Sequence, residues 1–326
     1  MRRVAVVLLP VASFVLGGCS SSGGSNAGDP ADTGSATDAP FGTDAPSSPP
    51  LATGSIGPIP VAGGEDKTVC INKRLENADD ILATRLVADL APGSHHMIVY
   101  RSSETAENLT PFDCKPFESL LLGSDAPLLL VNAKHVDFSF PAGVGLKIAA
   151  HQMVRIEAHY VNASKSSIDG SGTFSIQGKK LTDAGDYQLA DFSFWGTRKF
   201  KIAPKSHATT GPQFQAGIAG TKGFALTTHQ HSLGTQVDVW LSSKPGDVPA
   251  TPLLTETNWA APKLVPIDVS FDGTNGYTYE CQWDNPTDQT VIFGESGLTN
   301  EMCFLLTYYY PSHGFDICYD GACKSR

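Results

Sequence analysis

From about Val61 onward, short apolar-rich runs recur between turns, and within them polar and apolar residues can alternate with a period of two. The run Thr235-Gln236-Val237-Asp238-Val239-Trp240-Leu241 shows this most plainly, and that period marks a strand with one face buried. Similar runs rich in Val, Ile, Phe and Tyr recur between Gly, Pro, Asn and Asp turns: Ile98-Tyr100, Val136-Phe140, Met153-Tyr160, Gly172-Ile176, Phe200-Ile202, Val265-Phe271, Thr287-Phe293 and Cys303-Tyr310. Long amphipathic helical patterns are missing, and Asn77 to Leu90 reads equally as a helical turn or a strand edge. Many short strands at this spacing predict an all-β fold of the sandwich or barrel kind. The break around Lys179 to Gln188 is the preferred boundary between two halves, 62–185 and 186–326.

The first residues do not share the pattern. Arg2 and Arg3 precede an apolar run, Val4 to Leu16, too short to span a bilayer and of the length of a signal-peptide core. It ends in Leu16-Gly17-Gly18-Cys19, which resembles the bacterial lipobox. The resemblance implies a lipoprotein signal peptide at 1–18, lipidation of Cys19, and a chain anchored in a bacterial cell envelope. Ser20 after the cysteine favours the outer membrane by the same analogy. Residues 19–61, built mainly of Gly, Ser, Ala, Asp, Thr and Pro, bury too little to offset their ordering entropy and read as a flexible linker.

The formal charge of -10 and the absence of Lys/Arg clusters argue against nucleic acid as a partner. Of the seven cysteines, Cys19 is claimed by lipid. The remaining Cys70, Cys114, Cys281, Cys303, Cys318 and Cys323 are even in number behind an export signal, which reads as disulfides, three if all pair. No Cys-x-x-Cys occurs, which disfavours a thiolate zinc site.

Candidate chemistry lies in the histidines. In Thr228-His229-Gln230-His231, an extended backbone projects His229 and His231 from one side with Gln230 pointing away, and two neutral imidazoles on one face suit copper, zinc, iron or nickel. His95 and His96 follow Pro92-Gly93; being adjacent, they reach one metal only from a turn or bulge. Glu157 and His159 share a face of the Met153-Tyr160 strand, where an acid orients a ligand or a bound water. Met302, one of four methionines, precedes Cys303 and offers a soft thioether that favours Cu(I). Taken singly, each motif also fits a loop, surface or core residue.

Together, His95-His96-Met97, Glu157-x-His159-Tyr160, His229-x-His231 and Glu301-Met302-Cys303 before Tyr309-Tyr310-Pro311, with Phe140-Pro141-Ala142-Gly143-Val144-Gly145 upstream of His159, resemble in content and order the copper type II, ascorbate-dependent monooxygenases. This is the family of peptidylglycine α-hydroxylating monooxygenase and dopamine β-monooxygenase. The resemblance implies two tandem antiparallel, jelly-roll-like β-sandwich domains facing across a cleft, with two copper ions per chain. By it, His95, His96 and His159 ligate an electron-delivering copper, while His229, His231 and Met302 ligate the copper that meets O2 and a small-molecule substrate. Ascorbate or another one-electron reductant is implied, with a C-H bond as the point of hydroxylation and Glu157 beside the chemistry. The resemblance also implies Cys70-Cys114 and Cys281-Cys303 pairs, leaving Cys318 and Cys323 to pair locally.

Thr227, Phe304 and Leu306 stand where the peptide-amidating branch has groups that grip a carboxylate, which argues against peptide amidation. Phe304 and Leu306 suggest an apolar or aromatic substrate instead. A copper-binding or copper-buffering surface lipoprotein without turnover is the alternative reading, and a β-sandwich adhesin would need none of these ligands. Oligomeric state is not legible.

Overall fold

The computed structural model describes residues 49–121 and 125–325. The signal peptide at 1–18, Cys19 and the linker as far as residue 48 lie outside the described residues.

The fold is all-β. The only helical turns among the described residues are Glu118–Leu121 and the 3-10 turn Leu181–Asp183. Asn77 to Leu90 resolves into the strand Ile81–Leu90, since Leu86, Ala88 and Leu90 turn inward while Val87 and Asp89 do not. Its Leu- and Ala-rich composition suits a helix, but position between Ile168–Lys180 and the strands His135–Ser139 and Val144–Ile148 overrides it. The linker expected up to residue 61 ends earlier. Ala52–Val61 is a strand antiparallel to Ile168–Lys180, with Ile56, Ile59 and Val61 buried, so three aliphatic side chains outweigh a Gly- and Pro-rich composition. Thr287-Phe293 shortens to Val291–Ile292, because the Asn285 side-chain oxygen accepts from the Thr287 N–H and hydroxyl and folds that segment into a turn.

Two pairs of stacked sheets result. In the first, the sheet holding Ala52–Val61, Ile168–Lys180 and Ile81–Leu90 covers a five-stranded sheet ordered Asn108–Asp113, Asp66–Arg74, Met153–Val161, Ser94–Arg101 and Ala126–Val131. The sheets approach closely at Gly172, where a Cβ would sit 2.6 Å from the Met97 sulfur, so a larger residue has no room. In the second pair, a six-stranded sheet ordered Val265–Ser270, Lys222–His229, Phe304–Tyr310, Asp191–Gly196, Asp316–Tyr319 and Ala322–Ser325 packs on one centred on Gly276–Asn285 and Gly234–Ser242. Trp195 of the former meets Tyr277 of the latter at 5.4 Å, and the Cys281–Cys303 disulfide ties the two sheets together. Strand membership passes from the first group at Leu189 to the second at Asp191.

The sheet containing Phe304–Tyr310 is buried on two faces. Trp195, Leu226 and Leu305 turn into the C-terminal core. Phe192, Phe194, Phe224, Phe304, Leu306 and Tyr308 turn the other way and join a core continuous with the N-terminal half. Phe138 lies 5.9 Å from Phe224 and 5.2 Å from Tyr308, and Phe140 lies 5.4 Å from Phe224. The Tyr308 hydroxyl donates to the Leu128 carbonyl at 3.1 Å, and Arg101 pairs with Asp191 at 2.6 Å. A broad apolar contact of this kind holds two halves in one arrangement.

Candidate metal centre

On the N-terminal side, His159 lies mid-sheet on Met153–Val161, flanked by Thr68 on one neighbouring strand and His96 on the other. The strand Ser94–Arg101 follows the Pro92-Gly93 turn, where Gly93 has φ +81°, and a bulge falls between Ser94 and His96. That extra residue re-aims one side chain, and the His95 and His96 rings lie 5.3 Å apart. On the C-terminal side, His229 ends the strand Lys222–His229 opposite Phe304. His231 follows just beyond the strand, so the His-x-His pair straddles a strand end. The pair still shares a side, at 5.3 Å, while Gln230 turns away to donate to the Gln282 carbonyl.

Glu301 fixes this turn. Its carboxylate accepts from the backbone N–H of His231 at 3.0 Å, the N–H of Leu233 at 2.7 Å and the Trp283 indole at 2.8 Å. Met302 comes next, 1% exposed, between Glu301 and the disulfide-bonded Cys303. It stands two residues before Phe304 as His231 stands two beyond that residue's partner His229.

The resemblance implied a cleft between the two sets of histidines; the structure closes it. His95 is 4.9 Å from His229 and 5.4 Å from His231, as near as it is to His159 at 5.2 Å, and His96 is 5.2 Å from His229. The aromatic contact between the halves brings the two histidine-bearing sheets together. None of the five imidazoles is more than 4% exposed. Phe117 walls the cluster against His96 and His229 at 4.8 and 5.1 Å, and the half-buried Trp259 reaches His95 at 5.8 Å.

Burial, reinforced by the neighbouring imidazoles, holds protonation of His95, His96 and His229 well below the usual range and that of His231 down to about 3. Those rings are neutral and each keeps a lone pair. Six buried ring nitrogens lack a partner: His95 Nε2, His96 Nδ1, His159 Nδ1, His231 Nε2 and both of His229. Buried polar atoms normally find partners, so this concentration marks a ligand-binding centre. Three of the four remaining ring nitrogens are held as in metal sites: His159 Nε2 contacts Asp66 at 2.7 Å, His96 Nε2 contacts Glu157 at 3.3 Å, and His231 Nδ1 contacts the Asn300 carbonyl at 3.1 Å. Burial raises the Asp66 carboxyl, but hydrogen bonds from His159 and Ser296 outweigh it and leave the group below its ordinary value. Burial pushes Glu157 and Glu301 up to about 7.

Glu157 thus works within the scaffold: it also accepts from the Tyr100 hydroxyl and from the N–H of Phe117, each at 3.0 Å. Phe117 takes a φ of 59°, an outlier for a bulky residue, and this hydrogen bond helps hold it there. Asp66, Phe117, Trp259 and the orienting role of Glu301 were missed in the sequence. Phe304 and Leu306 point into the core between the halves and offer no surface to a substrate. His135, His151, His207 and His313 are exposed and outside the cluster. The cysteines pair as Cys70–Cys114, Cys281–Cys303 and Cys318–Cys323.

Residues 201–325 match the family model for the C-terminal domain of copper type II ascorbate-dependent monooxygenases. Among curated proteins none matches the chain. Among solved structures, a protein described as secreted, from Parabacteroides distasonis ATCC 8503, is 5% identical, with 80% of this chain and 81% of that one covered at a TM-score of 0.21. PNGF-II is 9% identical, with 81% and 63% covered at a TM-score of 0.23. TM-scores this low do not establish a shared fold.

Proposed function

We propose that this chain, a member of the copper type II, ascorbate-dependent monooxygenase family through its residues 201–325, hydroxylates a C-H bond of a small molecule using O2 and ascorbate or another one-electron reductant. The observation that carries the reading is the set of five buried imidazoles with six unpartnered ring nitrogens, a donor set that suits copper. Two copper ions per chain would supply one-electron cycling and oxygen chemistry. His95, His96 and His159 are assigned to one ion; His229, His231 and Met302 to the other.

The remaining work belongs to side chains of this protein. Asp66 sets the ring orientation of His159, and Glu157 that of His96. Glu301 and the Asn300 carbonyl fix His231. The thioether of Met302 favours reduced copper. Phe117 and the apolar contact between the halves keep water from the cluster.

We further propose that lipid on Cys19 anchors the protein in a bacterial envelope, in the outer membrane by the analogy of Ser20. Three disulfides agree with an exported chain. Membrane fractionation of Cys19→Ala tests this; a variant that still sediments with membranes refutes the anchor.

The function is tested by copper stoichiometry and ascorbate-driven oxygen uptake for wild type and Met302→Ile. Two coppers with uptake that the substitution abolishes supports the monooxygenase. Copper without Met302-dependent uptake leaves copper binding without turnover.

A further inference from the structure

We propose that the arrangement seen here seats one metal ion between the halves, held by His95 and His159 from one and His231 from the other, ahead of any two-ion state. The inference rests on the reading of the cluster as a copper centre and goes beyond the ligand sets taken from the family.

Two groups of three histidines have ligand atoms within 4.8 Å of one another: His95, His159 and His231, and His95, His96 and His229. Each combines residues from the two halves. Neither is a set the resemblance implied. Both need His95, and a neutral imidazole has one lone pair to give; the unpartnered nitrogen of His95 is Nε2. Filling one group therefore empties the other of a ligand.

Orientation decides between them. In the first group, His159 Nε2 is held by Asp66 and His231 Nδ1 by the Asn300 carbonyl, leaving His159 Nδ1 and His231 Nε2 unpartnered. In the second, His96 is held by Glu157, but neither nitrogen of His229 has a partner. Pre-oriented ligands lose less freedom on binding, which favours the first group.

The two holding groups are themselves tied together across the interface. Ser296 Oγ donates to Asp66 Oδ2 at 2.7 Å and the Leu298 N–H donates to the same oxygen at 3.3 Å. Gly297 packs so closely that a Cβ there would lie 2.9 Å from Val161 and 3.6 Å from the His159 ring. The loop 294–300 thus links the residue that holds His159 to the one that holds His231. His95, His96 and His159 do not converge in this way, so giving them one ion, with His229 and His231 on a second, requires their rings to re-orient from the arrangement seen here.

The test is anaerobic Cu(I) titration of the full chain against a competing chelator, with wild type, His159→Ala, His231→Ala, the double variant and the exposed His207→Ala as control. For a shared ion, each single substitution weakens the first equivalent tenfold or more, and the second substitution adds little to the first. Circular dichroism checks folding, and His231→Gln replaces His231→Ala should the alanine variant not fold. First-equivalent affinity unchanged in the folded His231 variant overturns the proposal, because the ion then resides within the N-terminal half; the monooxygenase reading survives that result. Wild type that binds no Cu(I) overturns the copper reading and the shared ion together.

Discussion

Replacing Glu301 tests how the C-terminal ligands are held. Its carboxylate is fully buried and takes three hydrogen bonds: His231 N–H and the Trp283 indole on Oε2, Leu233 N–H on Oε1. Glu301→Ala strands three donors, His231 and Trp283 among them buried. An unsatisfied buried donor costs about 1–3 kcal/mol, and water entering the space relieves part of that. The expected loss is about 3–6 kcal/mol in urea unfolding at pH 8, above the value of about 7 to which burial raises the carboxyl. Glu301→Gln can place its carbonyl oxygen at the Oε2 position, keeping two bonds and opposing its amide to Leu233 N–H, for about 1–3 kcal/mol. Tryptophan emission should shift to the red in the alanine variant as Trp283 loses its acceptor. A loss below about 1 kcal/mol for alanine, or glutamine as damaging as alanine, refutes the account.

Other expectations follow from the same geometry. Phe224→Ala should cost about 3–5 kcal/mol, since Phe224 packs against Phe138, Phe140, Tyr308 and Tyr310; two separate unfolding transitions in the wild type would contradict the continuous core behind that figure. Removing Cys70–Cys114, 44 residues apart, should destabilise by about 4 kcal/mol and removing Cys318–Cys323, 5 apart, by about 2 kcal/mol, and chemical denaturation that reversed the order would reject loop closure as the cause. In the metal-free chain, His95, His96, His229 and His231 stay neutral when folded but gain protons near pH 6.5 when unfolded. Their contribution is complete above that pH and is lost as pH falls below it. Glu157 and Glu301, raised to about 7, bind protons on folding and offset part of this, two groups against four. The urea midpoint should therefore fall between pH 6.5 and 5, and a midpoint that rises would contradict the assignment.

Strands were legible because alternation is local, as in Thr235 to Leu241. The bulge at His95-His96 was legible too, since adjacent histidines after Pro-Gly can meet only there. Ala52–Val61 was missed because composition was weighed over the spacing of Ile56, Ile59 and Val61. Asp66 had no signal at all: it reaches His159 only through strand pairing across 93 residues. Glu301 carried a signal in its place beside Met302, but its acceptor role depends on Trp283 arriving from another strand. Closure of the cleft is likewise a property of Phe138, Phe140, Phe224 and Tyr308 acting jointly. No single motif encodes it.

Sealing the five imidazoles to 4% exposure or less has a kinetic corollary. An ion inside cannot be handed to a chelator by stepwise ligand exchange at the surface, because no incoming ligand reaches it. Release waits on a breathing event that separates Trp259 from His95 or the loop 294–300 from Asp66. Escape rate then saturates with chelator concentration, and its ceiling equals the frequency of that opening.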